Sequence, residues 1–228
     1  MFRQPEKNCY KIELYQQRDY TMNAKFISLD GIDGAGKTTQ LNVIKQWFEK
    51  QNLPVQFTRE PGGTPLGEKL RDILLNPTSQ INLRTETLLM FAARQQHLDD
   101  IILPTLNQNI SIVSDRFTDA TFAYQGGGRG LPESDIAQLE NWVQGSLRPD
   151  LTILLDVPLE IAIQRIENSR EKDRFERENS TFFNQVRTAY LNRAAANPKR
   201  YAIIDSSHDK ESTKAQIEHA LNQLFHVK

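Results

Sequence analysis

The chain of 228 residues predicts an α/β fold in which a five-stranded parallel sheet carries helices on both faces. Three observations lead there. Five short β-rich runs alternate with stretches of helical apolar spacing; the cores of those runs are almost unbroken apolar residues, as strands buried on both faces require; and the first run, FISL, leads directly into the glycine-rich segment GIDGAGKTT. At 26.2 kDa the chain is long enough for one well-buried domain and short for two.

The first strand is KFISLD (25–30). Residues 31–39 then fit the phosphate-loop pattern G-x-x-x-x-G-K-[ST] through Gly31, Gly36, Lys37 and Thr38, with Ile32, Asp33, Gly34 and Ala35 inside it and Thr39 just after. Glycines let the backbone curl so that successive N–H groups face anionic oxygens. The lysine adds a mobile charge and the following helix its partial positive end. The Thr38 hydroxyl is the expected Mg²⁺ ligand. A helix over 37–51 follows from the spacing of Leu41, Ile44, Trp47 and Phe48. The remaining strands are VQFTRE (55–60), ISIVSDR (110–116), LTILLDV (151–157) and YAIIDSS (201–207), separated or followed by helices at 64–75, 84–108, 133–146, 158–169, 180–196 and 209–226. The glycine triplet at 126–128 is too short to be a domain linker.

Charge and cysteine content narrow the function classes. Lys and Arg number 28 against 29 Asp and Glu, a net charge of −1, so no broad field draws the chain to nucleic acid or an anionic membrane, and phosphate recognition has to be local. Cys9 has no internal partner and the four histidines lack metal-ligand spacing, which fits a reducing cytoplasm. No apolar stretch approaches membrane-spanning length. Residues 1–22 contain acids and lack the apolar centre of a secretory signal, and Met22 stands just before the first strand. They read as an accessory extension ahead of a single domain over 23–228.

Ligands of such sheets gather beyond the carboxyl ends of the strands, where this chain concentrates charge at Asp30, Arg59, Asp115, Arg116 and Asp156. Asp33 would repel a triphosphate if it pointed into the phosphate cradle. It is therefore expected to face a second substrate, a sugar hydroxyl being suitable because a carboxylate only accepts hydrogen bonds. Asp115 stands where the acid of a phosphate-loop enzyme holds Mg²⁺ directly or through water, and Arg116 can grip a phosphate with two nitrogens. The same pair also reads as a structural ion pair.

The blocks GIDGAGKTT, FTREPGGT (57–64), LLMFAARQQH (88–97), SDRFTDATFAYQGGGRG (114–130), LRPDLTILLDV (147–157) and DRFERENSTFF (173–183) occur together and in this order. Over residues 25 to about 205 the chain resembles the bacterial thymidylate kinases, of the nucleoside monophosphate kinase type. The resemblance implies transfer of the γ-phosphoryl group of ATP to dTMP with Mg²⁺, giving dTDP, in a homodimer with a mobile lid over about 165–180. It implies that Phe91 stacks on the thymine ring, Arg94 hydrogen-bonds a ring carbonyl, Thr121 lies beside the ring, Tyr124 lies under the sugar and Gln125 is close by. Arg59, Arg71 and Arg116 become candidates for the acceptor phosphate. Position in the fold, apart from the resemblance, points to the residues after the fifth strand, Ser206 to Asp209, and to Arg165 for the ATP side. Phe117 and Ala120 depart from the family, which often has Tyr or His at the first position and Ser at the second. By spacing alone LLMFAAR reads equally well as buried helix, and RIENSREKDRFERE (165–178) as a solvated charged helix.

Within that resemblance the catalytic set is Lys37, Asp115, Arg116 and a lid arginine, Arg170, because the phosphate loop has no arginine of its own. No general base is required: a phosphate monoester is already largely ionised at neutral pH. Helices 84–108 and 133–146 are candidate subunit contacts. Another nucleotide kinase, a GTPase switch and a non-catalytic nucleotide-binding module are the competing readings; the GTPase lacks its N-K-x-D signature here.

Overall fold

In the computed structural model, which describes residues 24–167 and 173–227, the five expected strands are β1 (Phe26–Asp30), β2 (Val55–Arg59), β3 (Ser111–Asp115), β4 (Leu151–Asp156) and β5 (Tyr201–Asp205). All pair in parallel, in the order β2-β3-β1-β4-β5. Ile27 faces Val113 of β3 on one side and Leu151 of β4 on the other. Every residue of β1 is buried, whereas the edge strand β5 exposes Ile203. The unbroken apolar runs thus belong to the middle of the sheet. Because connections from β1 run to one side and β4 returns on the other, the carboxyl end of β1 is a switch point with a crevice outside it.

Side chains alternate between two cores, as the period of a strand demands. Ile27, Leu29 and Val113 join Ile44, Trp47 and Phe48 of α1 (Lys37–Gln51), Val186 and Tyr190 of α8 (Ser180–Ala196) and Ile217 and Leu221 of α9 (Lys210–Phe225). Phe26 and Ile112 turn the other way, to Phe91 of α3 (Leu83–His97) and Ile136 and Val143 of α6 (Glu133–Gln144). The framework is completed by α2 (Pro65–Leu75), the short α4 (Leu103–Asn107) and α5 (Thr118–Thr121), and α7 (Leu159–Glu167). Side chains cap α2, α3, α8 and α9: Thr64, Asn82, Asn179 and Asp209 each accept from a backbone N–H three residues on. At α1 the N-cap is Gly36, left-handed at φ 94°, with no side-chain cap and no acid in the first turn. Its first N–H groups remain available to a ligand.

Two stretches differ from expectation. The helix foreseen over 84–108 is interrupted by a π-helical turn, Leu98–Ile102, just before Pro104, whose ring and missing N–H cannot enter a regular ladder. More consequentially, residues 118–128, including the glycine triplet, are helical: α5 continues as a π-helical stretch, Phe122–Gly128. Glycine's low helix propensity hides this from the sequence. The glycines are there for proximity, since a Cβ on Gly127 would lie 2.5 Å from Ala189 Cβ and 3.0 Å from the Gln185 carbonyl oxygen, and one on Gly128 would run into the Phe182 ring. The expected extension, residues 1–22, and Arg170 of the lid lie outside the described residues. Among the described residues no helix is long and apolar enough to cross a membrane.

Gly127→Ala tests this packing, because propensity and sterics oppose each other. Alanine gains about 1 kcal/mol of helix propensity, but overpacking against fixed atoms costs about 1–3 kcal/mol. The expected result is a lower urea midpoint; an unchanged or higher one removes close approach as the reason for glycine.

Candidate active site

The crevice beyond β1 and β3 holds a cavity of about 610 Å³. One end is the phosphate loop. Gly34, Gly36, Thr38 and Thr39 border the cavity, while Ile32 and Ala35 turn their side chains into the core. Lys37 Nζ is folded back onto the loop, donating to the carbonyls of Gly31 (3.3 Å) and Ile32 (3.2 Å) and lying 3.8 Å from Asp33 Oδ1. Burial and the neighbouring Arg116 depress its ammonium below the ordinary lysine value, against the pull of Asp33, Asp115 and Asp30.

Arg116 sits at the end of β3 with a left-handed backbone, φ 70°. Its Nη1 donates to the Gly31 carbonyl (3.0 Å) and Tyr190 Oη (3.3 Å), and its Nη2 to Asp33 Oδ1 (2.6 Å) and Tyr124 Oη (3.0 Å). Tyr124 in turn donates to Asp33 Oδ2 at 2.8 Å. Burial alone would raise the Asp33 carboxyl; Arg116 and Lys37 hold it below its usual value, so it stays an acceptor. The four terminal N–H groups of Arg116 are thereby engaged with the protein. That makes it an organiser of Asp33 and Tyr124 more than the open phosphate clamp foreseen in sequence. Behind it, Tyr190 donates to Asp30 Oδ1 (3.1 Å) and Ser28 donates to Asp30 Oδ2.

At the other end, Arg94 is 3% exposed and borders the cavity. Its Nε donates to Glu60 Oε2 (2.7 Å) and its Nη2 to Thr121 Oγ1 (3.1 Å), while Nη1 is buried without a partner. Glu60 is itself held by His97 Nδ1 at 3.0 Å, and His97 Nε2 lies 2.6 Å from Thr58 Oγ1. Burial would raise the Glu60 carboxyl, but Arg94 and His97 keep it low and ionised. Thr121, Tyr124 and Gln125 all border the cavity. Phe91 does not. It is 2% exposed in the second core, with the Arg94 guanidinium carbon 4.7 Å from its ring centre, so it braces Arg94 from behind. Met90 lines the cavity instead. Met90 and Phe91, four and three residues before Arg94, are both its helix neighbours and flank it on opposite sides, Met90 towards the cavity and Phe91 towards the core. Spacing alone does not say which of the two faces the cavity.

Arg59 and Arg71 line the wall between the two ends, Arg59 paired with Glu68 (2.8 Å) and Arg71 donating through Nη1 to the Pro61 carbonyl (2.9 Å). Asp115 reaches the same space, and its Oδ1 is buried with no hydrogen-bond partner. An orphaned carboxylate oxygen on the cavity wall that also carries Thr38, within electrostatic reach of Lys37, fits a divalent cation. Arg165 closes the phosphate-loop side, its Nη1 donating to the Gly34 carbonyl (3.4 Å) and Nη2 to that of Ser206 (3.0 Å). The described part of the lid supplies Asp173, Phe175 and Glu176 to the wall; of these the sequence marked only the segment. Among the described residues the candidate site positions thus converge on one cavity, with Gly31, Ile32, Ala35 and Phe91 outside its lining.

A phosphate loop at the end of β1, an uncapped helix after it and a second polar pocket in the same crevice define a phosphate-loop kinase of the nucleoside monophosphate type. The model of the thymidylate kinase family matches residues 29–217. The thymidylate kinase of Neisseria meningitidis serogroup A is 64% identical over 204 residues, covering 90% of this chain and 99% of that protein. That of Nitrosospira multiformis is 50% identical over 204 residues, covering 90% and 100%. A crystal structure of thymidylate kinase from Ehrlichia chaffeensis superposes with a TM-score of 0.71 at 32% identity, covering 87% of this chain and 98% of that one. The chain belongs to the thymidylate kinase family.

Asp30 gives the site a titration that stability measurements can read. Burial, reinforced by Asp119, pushes its carboxyl up to about 6, against the favourable effects of Ser28, Arg116 and Tyr190 on the ionised form. A folded-state value above the ordinary 3.8 means that the folded chain holds the proton more tightly. The stabilisation is complete below the ordinary value and is lost as the pH rises towards 6. Asp30→Asn, which does not titrate, should gain on the parent by up to about 3 kcal/mol from pH 4 to pH 7, read from urea unfolding; parallel pH profiles would refute the assignment.

Proposed function

We infer that the protein transfers the γ-phosphoryl group of ATP to dTMP, releasing ADP and dTDP. One observation carries the reading: a single cavity joins an uncapped, lysine-bearing phosphate loop to a pocket whose buried guanidinium, Arg94, keeps one nitrogen unpaired. ATP phosphates take the loop end, where the N–H groups of α1 and Lys37 meet them and Arg165 flanks the nucleotide. The thymine ring lies on Met90 with Arg94 Nη1 donating to a ring carbonyl and Thr121 and Gln125 alongside. Asp33, held by Arg116 and Tyr124, accepts from the acceptor sugar. Arg59 and Arg71 meet the acceptor phosphate. Asp115 and Thr38 would hold Mg²⁺, which when bound would neutralise phosphate charge. Arg170 supplies the lid cation.

The acceptor phosphate is largely ionised at neutral pH, so no side chain has to remove a proton. What the chain contributes is alignment of two phosphates across the cavity and positive charge where negative charge accumulates. The lid wall at residues 173–176 keeps water from competing as acceptor. The active form is assigned as a cytoplasmic homodimer comprising a single domain over 23–228; the exposed Leu88 on α3 and Trp142 on α6 favour one of those helices as the subunit contact.

With ATP and Mg²⁺, dTMP should be phosphorylated ahead of dUMP, dCMP, UMP and AMP in an ADP-release assay. Preference for AMP or a cytidine nucleotide would sink the acceptor assignment. Lys37→Ala should lower kcat by about 10²–10³, the scale of losing one preorganised charge, with the fold intact by circular dichroism. Near-normal turnover in that variant would overturn the role given to Lys37.

A further inference from the structure

Arg129 of the glycine-rich block and Arg174 of the lid are left without a task by the reaction as described. Both converge on Glu86, near the start of α3, which is 1% exposed. Its Oε1 accepts from Gln125 Nε2 (2.7 Å) and Arg129 Nε (3.0 Å), and its Oε2 forms an ion pair with Arg174 Nη2 at 2.6 Å without the geometry of a hydrogen bond. Arg129 Nη2 reaches on to Glu178 Oε1 at 3.0 Å. Two acids and two arginines therefore alternate, and the cluster is electrically balanced.

We propose that Glu86 is a positioning residue that fastens the lid segment 173–178 to the acceptor end of the cavity, so that docking of the lid and placement of Gln125 are one event. The lid also leans on the end of α2, where Arg174 donates through its backbone N–H to the Leu75 carbonyl (3.2 Å) and through Nε to that of Leu74 (2.8 Å). Between the two arginines lies Phe175, with guanidinium carbons 4.6 Å (Arg174) and 5.4 Å (Arg129) from its ring centre. Its ring meets Tyr124 edge-on at 5.9 Å and forms cavity wall. One carboxylate thus governs two pieces of that wall, Gln125 directly and Phe175 through the arginines that flank it. An acceptor that touches both binds only the docked lid, and its affinity includes the free energy of docking. Among the described residues the bonds of Glu86, Arg129 and Arg174 run to Gln125, Glu178, Leu74 and Leu75 and none reaches the phosphate loop, so the KM for ATP depends on this cluster less than that for dTMP. This inference rests on the acceptor end being where dTMP binds.

The test is Glu86→Gln, which keeps the shape and removes the charge. Loss of charge-assisted hydrogen bonding should raise the KM for dTMP about tenfold or more with the KM for ATP little changed. Trypsin cleavage after Arg174 or Arg177 in the ligand-free protein should accelerate. Should Glu86→Gln fold poorly, Arg174→Gln leaves Glu86 paired with Arg129 and Gln125; it removes the cleavage site after Arg174, and should raise the KM for dTMP and accelerate cleavage after Arg177. In the double variant the KM should rise no further than in the larger single. Equal rises in both KM values, or a parental KM for dTMP with parental cleavage, would overturn the latch. If the parent protein itself fails to phosphorylate dTMP, the proposed reaction falls, and the cleavage rates still decide whether Glu86 fastens the lid.

Discussion

The guanidinium of Arg116 is the constraint on which the site depends. To place it, the chain accepts a left-handed residue that is not glycine, a cost of about 1–2 kcal/mol. Local bonds hold it there: the Arg116 N–H donates to the Leu29 carbonyl at 3.0 Å, and Ser114 Oγ donates to the Arg116 carbonyl at 2.7 Å. The turn aims the side chain back across the sheet ends, where its terminal nitrogens reach the phosphate loop, the π-helical stretch and α8 together. Loop, acceptor wall and helix are thus registered by one planar group. Removing it would leave the half-buried Asp33 without its nearest cation, with only Lys37, 3.8 Å away, to offset its charge.

The same hub explains the glycines of residues 126–128. Tyr124 can meet Arg116 and Asp33 only if the segment carrying it lies close against α8, which carries Tyr190. A side chain at Gly127 or Gly128 would push those backbones apart. Close packing in one place therefore sets hydrogen-bond geometry in another. The widened π-helical turns let this stretch follow a path that a regular helix of the same length would not.

How much of this was legible in the sequence depends on which kind of signal each part carries. Strands and most helices were, because alternation and apolar runs are direct consequences of burial, and the phosphate loop was, because its glycines and lysine have few other uses in that order. The helix over 118–128 was not: its reason is proximity to α8, a tertiary fact that overrides propensity. Phe91 was expected in the acceptor pocket from the family resemblance, but Met90 and Phe91 both neighbour Arg94 along the helix, and only the packing of α3 turns Met90 towards the cavity and Phe91 into the core. Glu86, Arg129 and Arg174 lie far apart in sequence, and only the fold reveals them as one cluster.

The two ends of the cavity use opposite strategies. At the phosphate end, Lys37, Arg71 and Arg116 face Asp33, Asp115 and Asp30, so opposite charges offset one another before any ligand arrives, and a chain of net charge −1 can still hold anions by exchanging internal partners for phosphate oxygens. Lys37, folded onto its own loop carbonyls, is poised for that exchange. At the acceptor end one donor, Arg94 Nη1, is left unsatisfied among buried groups, a penalty of about 1–3 kcal/mol for such a group. In the proposed reading a ring carbonyl relieves it and an exocyclic amino group does not, because an amino group cannot accept the bond. Discrimination between acceptors then arises from stress already present in the free protein, and it persists because Glu60, fixed in turn by His97, denies the guanidinium any rotation that would satisfy Nη1 internally.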